Sequence, residues 1–479
     1  MSDRSLRSRS GNVGARIYIS AHDRAGRNRA ALPVRDPVPG PPRGHGSALL
    51  LGTSGGTTTE VTEGPARHPY LFKGFLTQPA PAAAGMLACA ANARARYYTP
   101  WPVISKMITD PVVTSNDDRL RFESFSGCGG VHARLDLLPD ALDEAPRASG
   151  TTNVDFNQPM RAALASAAAG GPVLLSVGTD EVAVTTMQAS VTERKVPLPG
   201  RWLKGFGEVQ ALAVGMTLVA ELAGPDALRF IRGILRRASR PLWAVPAGRT
   251  LALTASPRLG AACLAGPHRL AGLGPLLRFA RGLRVYSPAL DAQSRPTPSA
   301  WELDLGTARF TLTLSPENFR GFSGAGALLE TLADDSVTAD ADLIGVLLAW
   351  SPRIDITRIA VAAGLSTNRA MRALTRLAAS GRVGYDLAEQ AFFHRELPFG
   401  PAMEKLHPRL ADARALLASG AVTLHAGGAS VRGGDTDHRV TFAAPHDICT
   451  CPWWGKHRGT RGPCKHVLAA RMGARTDEL

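Results

Sequence analysis

Four side chains near the C-terminus restrict this chain more than any other feature in it. Cys449-Thr450-Cys451 is followed, after a short basic loop, by Cys464-Lys465-His466. Three thiols and one imidazole complete a tetrahedral Cys3His set, the type used by structural zinc sites. The chain has six cysteines in 479 residues, and half of them fall in this one stretch, a clustering that points to metal. The expectation is one structural Zn2+ held by Cys449, Cys451, Cys464 and His466. Four protein ligands close the coordination shell, which argues against chemistry at the metal.

Cys-x-Cys sets both thiols on one side of a strand or tight turn, and Cys464 and His466 arrive from a second element. Pro463 ahead of Val467-Leu468-Ala469-Ala470 marks a helix start, and Val440-Thr441-Phe442 reads as a strand. The spacing predicts a small ββα finger over residues 436–473. Metal binding of this kind supplies about 10–16 kcal/mol, which is folding energy for so small a unit. His446 and His457 lie nearby, but the tetrahedron is filled without them, and His457 reads as a solvated loop residue. Trp453 and Trp454 read as packing over the small core, with base stacking or a partner pocket as the functional alternative. No Asp or Glu occurs from Cys449 to Arg471, whereas Lys456, His457, Arg458, Arg461, Lys465 and Arg471 do. Three thiolates leave the zinc centre near about −1, so neighbouring cations also make structural sense. The loop from Lys456 through Arg458 to Arg461 is the leading place for contact with phosphate or an acidic partner.

This pattern resembles the SWIM zinc finger: Cys-x-Cys, a variable gap, then Cys-x-His. Carried over position by position, the resemblance implies the ligands Cys449, Cys451, Cys464 and His466. The chain as a whole, with its basic Ala-rich body and C-terminal finger, resembles the bacterial SWIM zinc finger family proteins. That resemblance implies DNA or protein binding; no motor or nuclease signature accompanies it here.

A helix-turn-helix pattern precedes the finger. Leu343 to Trp350 reads as a first helix, and Asp355 caps a second with Ile356, Ile359 and Ala360 inward. Ala363-Gly364-Leu365-Ser366 supplies the tight turn, with Gly364 in the left-handed position. Ser366 or Thr367 starts a third helix ending near Ser380-Gly381. Its apolar set is Ala370, Leu374 and Leu377, and Arg369, Arg372 and Arg376 form a stripe on the opposite side. A hairpin follows, Arg382 to Tyr385 returning through Ala391 to His394. Residues 341–397 thus read as a winged-helix-like domain. Asn368, Arg369, Arg372 and Arg376 are its candidate phosphate and base contacts; the bland alternative is a packing module with solvated arginines.

The rest of the chain is less specific. Length predicts two to four folded units, about 100–200 residues each. Hydrophobic content of 44% and charged content of 20% suit globular protein. A net charge of +15 favours polyanionic partners, although an Arg-rich codon usage gives the same balance. Residues 1–66 read as a disordered basic tail; an organelle transit peptide or an overextended start is the alternative. Residues 67–333 read as one or two α+β units. Their markers are a helix over Ala82–Tyr97, a hairpin of Leu120–Phe125 with Val131–Leu137, and strands across 172–200. A helix over Pro225–Arg240, a hairpin around Gly306-Thr307 and a helix from Gly324 capped by Ser323 complete the set. Asp334 to Asp340 reads as a linker. The fold class is mixed, multi-domain α+β.

Cys89, Cys128 and Cys263 are scattered and read as free thiols, which with the zinc thiolates suggests a reducing, cytoplasmic location. The most apolar stretch, Val209 to Gly224, is short and contains Gln210 and Glu221, so no membrane span is expected. Gly455-Lys456 continues into His, so no Walker A loop is present. Gly321-Phe322-Ser323-Gly324-Ala325 lacks the last glycine of a nucleophile elbow, and no His-Glu-x-x-His occurs. The sequence therefore predicts a non-enzymatic zinc protein with DNA or nucleoprotein as partner and no small-molecule substrate. The alternative is a zinc-dependent protein-interaction scaffold.

Overall fold

The computed structural model describes residues 70–97, 111–234, 241–397 and 407–477, apart from 199, 319, 323–325, 327 and 445. The expected tail over 1–66, the Ser323 cap and the end of the Pro225–Arg240 helix lie outside the described residues.

The body is organised by an eight-stranded antiparallel sheet. Its strands run in the spatial order Gly150–Asn153, Val112–Asn116, Arg119–Phe125, Val131–Leu137, Ala308–Leu314, Ser299–Asp304, Gly282–Ser287 and Thr217–Ala223. The hairpins expected at Gly127–Gly130 and Gly306-Thr307 both form inside it. Alternation in these strands yields two faces. Leu120, Phe122, Leu135, Phe310 and Leu312 point to an apolar core, on which helix α1 (Pro79–Arg94) lies. Its small residues let the backbone approach closely: a Cβ on Gly85 would meet Leu135 at 2.5 Å. A four-stranded sheet (Tyr70–Phe75, Leu174–Gly178, Glu181–Thr185, Ser190–Arg194) and helix α2 (Gln158–Ala168) share this core.

The opposite face carries Arg121, Glu123, His132, Arg134, Asp136, Glu302 and Arg309, and all of them are buried. What covers them is the hairpin of Val383–Asp386 with Ala391–His394, together with helix α3 (Gly200–Ala213). Asp386 accepts from Arg309 at 2.8 Å, Arg134 donates to the Tyr385 carbonyl at 2.8 Å, and Arg395 pairs with Glu123. Arg121 lies over the Phe393 ring at 3.8 Å, and the α3 residue Gln210 accepts from the Tyr385 amide at 2.6 Å. Helix α4 (Gly224–Ile234) packs on the far end of the sheet, shorter in the described residues than the sequence pattern suggested.

Beyond α5 (Leu328–Leu332) the expected linker over Asp334–Asp340 is not one. Asp335–Val337 forms a 3-10 turn, and α6 spans Thr338–Leu347, starting before Leu343. Asp334 and Asp340 are buried acceptors for arginines of the third helix, so their charge marks ion pairing and not a solvated connection. Helix α7 (Ile356–Ala363) is capped by Asp355 and ended by Gly364 at φ 64°. Helix α8 (Thr367–Ala379) is capped by Ser366, and its apolar side packs with Ile344, Ile359 and Phe392. Helix α9 (Pro408–Ala418) leads into the finger.

The finger belongs to a four-stranded meander, Val422–His425, Gly428–Gly433, Thr436–Thr441 and Ile448–Cys449, so its sheet extends upstream of residue 436. A short helix α10 (Pro452–His457) follows, then α11 (Lys465–Asp477). Leu468, Ala469 and Met472 of α11 share a core with Leu328, Leu329 and Leu332 of α5 and Leu410 of α9. Among the described residues no helix is long and apolar enough to cross a membrane.

Candidate metal centre and its basic rim

Each ligand is placed by a local rule. Cys449 closes the meander, paired with Val440. Cys451 is the N-cap of α10, and its sulfur accepts from the Trp454 amide at 3.4 Å. Cys464 sits just ahead of α11, and its sulfur accepts from the Val467 amide at 3.4 Å. His466 lies in the first turn of the same helix. Two sulfurs therefore accept from amides at helix N-termini, which favours thiolate, although burial outweighs this at Cys451 and pushes its thiol up.

The four donor atoms lie within 4.8 Å of one another and all four residues are buried. Cys449 Sγ stands 3.8 Å from His466 Nδ1. Bond lengths of about 2.3 Å to sulfur and 2.1 Å to nitrogen give a tetrahedral edge of about 3.6 Å, so the donor set fits one zinc ion with Nδ1 as the histidine ligand. Gly433 makes room for that imidazole, since a Cβ there would approach His466 Nε2 to 3.0 Å. The Cys464 thiol is brought down to about 4 by hydrogen bonding from Cys449, helped by His466 and the Val467 amide against the effect of burial. His446 and His457 are outside the donor cluster. Trp453 sits between Arg409 and His457, with the guanidinium 4.9 Å from its ring and the imidazole 3.8 Å away.

The basic residues divide. Lys456 and Arg458 are exposed, and Arg461 is half-buried. Arg458 takes φ 43° to end α10. Lys465 reaches Asp412 at 3.5 Å, and Arg471 forms a two-bond pair with Asp447 at 2.6 and 2.7 Å. The arginines of α8 turn back on the body. Arg369 pairs with Asp340, Arg372 with Asp334, and Arg376 donates to the carbonyls of Thr331, Leu332 and Asp334. These bonds tie α8 to α5 and α6, while the Arg369 and Arg372 side chains stay 58% and 51% exposed and Asn368 is exposed at the start of α8.

Three cations brought to the finger from elsewhere escaped the sequence reading. Arg409 donates to the carbonyls of Arg461 and Pro463 at 2.7 and 2.8 Å, and Arg320 reaches the Thr460 carbonyl at 3.4 Å. Lys204, on α3, is half-buried, and burial pushes its ammonium down against the attraction of Glu208, with Arg409 and Arg461 adding to the lowering. No local pattern marks them, because they converge only through tertiary packing.

Residues 438–470 match the SWIM zinc finger family model. The chain carries a SWIM-type zinc finger, and its Cys449, Cys451, Cys464 and His466 cluster is the finger's zinc site. No curated protein matches the chain. Among solved structures, Proliferating Cellular Nuclear Antigen from Entamoeba histolytica is similar at 10% identity and a TM-score of 0.33, over 52% of this chain and 99% of that one. A PCNA2–PCNA3 complex from Sulfolobus tokodaii is similar at 9% identity and a TM-score of 0.35, over 52% and 100%. A putative DNA polymerase III beta subunit from Eubacterium rectale is similar at 11% and 0.33, over 55% and 68%.

Proposed function

We propose that this chain is a non-enzymatic, cytoplasmic nucleic-acid or nucleoprotein binding module whose zinc ion is structural. The observation that supports this reading best is the rim of the finger. Lys456, Arg458 and Arg461 lie on the loop that the metal ligands close, in a stretch without Asp or Glu. A closed loop holding unbalanced cations is suited to a phosphate backbone. The metal's role follows from its shell of four protein donors, with no place left for a water or substrate. We read residues 341–397 as a winged-helix unit held against the sheet by its hairpin, with DNA contact falling to the finger.

Salt titration of DNA binding tests this. Affinity should fall steeply with salt, and Arg458→Ala should reduce the log–log slope by about one phosphate contact, whereas Arg372→Ala, whose guanidinium is held by Asp334, should not. Absent or salt-independent binding removes nucleic acid from the account. A second reading, a protein scaffold, is favoured by one observation: Leu343, Val346 and Leu347 of α6 and Val361 of α7 are each exposed. Apolar exposure of this kind suits a protein partner. Pull-down of the native chain, with nuclease treatment, separates the two: a protein partner that survives nuclease supports the scaffold.

A further inference from the structure

We propose that the groove between helix α4 and the outer edge of the strand Thr250–Thr254 binds an acidic polypeptide segment of another protein, which enters as an added β-strand. This groove involves no residue of the finger, so the inference goes beyond the function proposed above and does not depend on it.

The strand belongs to a three-stranded sheet in the order Thr250–Thr254, Leu242–Ala247, Ala262–Leu264, and so has a neighbour on one side only among the described residues. It is joined to Leu242–Ala247 through the two-residue turn Gly248-Arg249, with Gly248 at φ 61°. In such a hairpin the pair that closes the turn exchanges hydrogen bonds, and bonded and unbonded pairs then alternate along the ladder. Ala247–Thr250, Val245–Ala252 and Trp243–Thr254 are therefore the bonded pairs, and Pro246–Leu251 and Ala244–Leu253 the unbonded ones. Pro246 has no N–H to donate, and it falls at an unbonded position as this register requires. The N–H and C=O groups of Leu251 and Leu253 consequently point away from the hairpin. Among the described residues, neither residue bonds to backbone elsewhere. An edge with open donors and acceptors is a template for another strand.

The groove beside this edge has a volume of about 760 Å³ and is lined by residues 249–253 and by Asp226, Arg229, Phe230, Gly233 and Ile234 of α4. Side chains alternate between the two faces of a strand, so lining by five consecutive residues means that the groove runs along the backbone edge. The α4 residues recur at three- and four-residue spacing and form one stripe of the helix. A peptide strand laid on a sheet edge draws affinity from backbone bonds and specificity from alternate side chains. Gly233 leaves room for such a side chain, since a Cβ there would meet nothing within 4 Å.

Charge selects the partner. Asp226 is the one acidic residue among those lining the groove, and its buried carboxylate is shared by Arg229 and, at 3.5 Å, Arg249. These two side chains are 74% and 89% exposed, so one positive charge is in excess and both guanidiniums are accessible. The sequence around them extends the excess: residues 227–290 contain eleven arginines and no Asp or Glu. A polypeptide with Asp or Glu at alternate positions answers both the charge and the open backbone groups. A DNA backbone answers the charge alone, because its phosphates accept hydrogen bonds and donate none.

The test uses the full zinc-loaded chain and the fluorescence anisotropy of a labelled peptide of about eight residues with alternating Val and Glu. This peptide should bind, with an affinity that falls as salt rises. A Val-Lys peptide of the same length, and a Val-Glu peptide N-methylated at its amides, should not bind. Gly233→Leu, which fills the groove from an exposed helical position, should abolish binding. Arg249→Glu, at an exposed turn, should weaken binding about fivefold and keeps the test decisive should Gly233→Leu perturb α4. Absence of binding by the Val-Glu peptide, equal binding by the N-methylated one, or full binding by both variants overturns the proposal. A dimer of the chain that Gly233→Leu abolishes also overturns it, in favour of a second copy. Tighter binding of an oligothymidylate that Gly233→Leu abolishes overturns it in favour of nucleic acid.

Discussion

Cys449 shows how far one residue's chemistry reaches. Its sulfur closes the tetrahedron with Cys451, Cys464 and His466, and a serine there removes one of three thiolates. We expect Cys449→Ser to fall from one zinc per chain to none by metal analysis, since the remaining three donors leave the loop unpinned. The buried ion pairs make a different prediction. Burial pushes the Glu123 carboxyl up, but Arg395 and His132 override it and hold it well below the usual range. Asp386 is held down in the same way by Arg134, Arg309 and Arg121. Carboxyls ordinarily ionise near about pH 4. A folded-state value below that contributes stability that is complete above the ordinary value and is lost as pH falls through the lower one. Glu302 runs the opposite way, pushed up by burial despite Arg309, and offsets part of the gain. The urea midpoint should therefore drop on acidification below about pH 4, and Asp386→Asn should flatten that drop while lowering the unfolding free energy at neutral pH by about 3–5 kcal/mol, because Arg309 and Arg134 lose their counter-charge.

The elements meet through small residues at close approaches. Helix α3 crosses the end of α8 at Gly207, where a Cβ would stand 2.7 Å from the Ala379 carbonyl oxygen and 2.8 Å from Leu328 Cδ1. Neither neighbour has slack, since one is helix backbone and the other is in a buried core. Gly207→Ala should lower the unfolding free energy from denaturant titration by about 1–3 kcal/mol through overpacking. This contact also brings the arginines of α8 within reach of α5. The helix is wedged between α3, α5 and α6, so Arg372 and Arg376 reach Asp334 and the carbonyls that end α5. The 3.6-residue period made the stripe visible in the sequence, but a period cannot say whether the polar side of a helix meets solvent or a neighbour's carboxylates.

At the scale of the whole molecule, the finger is joined to the body by a shared apolar layer. Residues of α11 pack with α5 and α9, and Gly462 stands so close to Gly326 that a Cβ would fall 2.4 Å from its carbonyl oxygen. The eight-stranded sheet has a separate core. Chelating zinc should thus expose the 456–462 loop to trypsin at Lys456, Arg458 and Arg461 and loosen the α9–α11 layer, while far-UV circular dichroism retains the strand signal of the body. Loss of all secondary structure on chelation would show that zinc organises the entire fold.

The metal site was legible in the sequence because its chemistry is local: four ligands within eighteen positions, each set by a strand end or a helix start. The hairpins around Gly127–Gly130 and Gly306 were legible for the same reason, since a two-residue alternation and a turn are neighbours along the chain. Packing between distant segments was not. The alternation of Arg119–Phe125 and Val131–Leu137 is that of a sheet with one wet face, yet the hairpin at Val383–His394 buries that face with complementary charge. Likewise Asp334–Asp340 has the composition of a linker and is held in ion pairs. Lys204, Arg320 and Arg409 join the finger's basic rim although they come from three separate elements. Local sequence decides which atoms a short segment offers; whether water or another part of the chain answers them is decided only when all segments are in place.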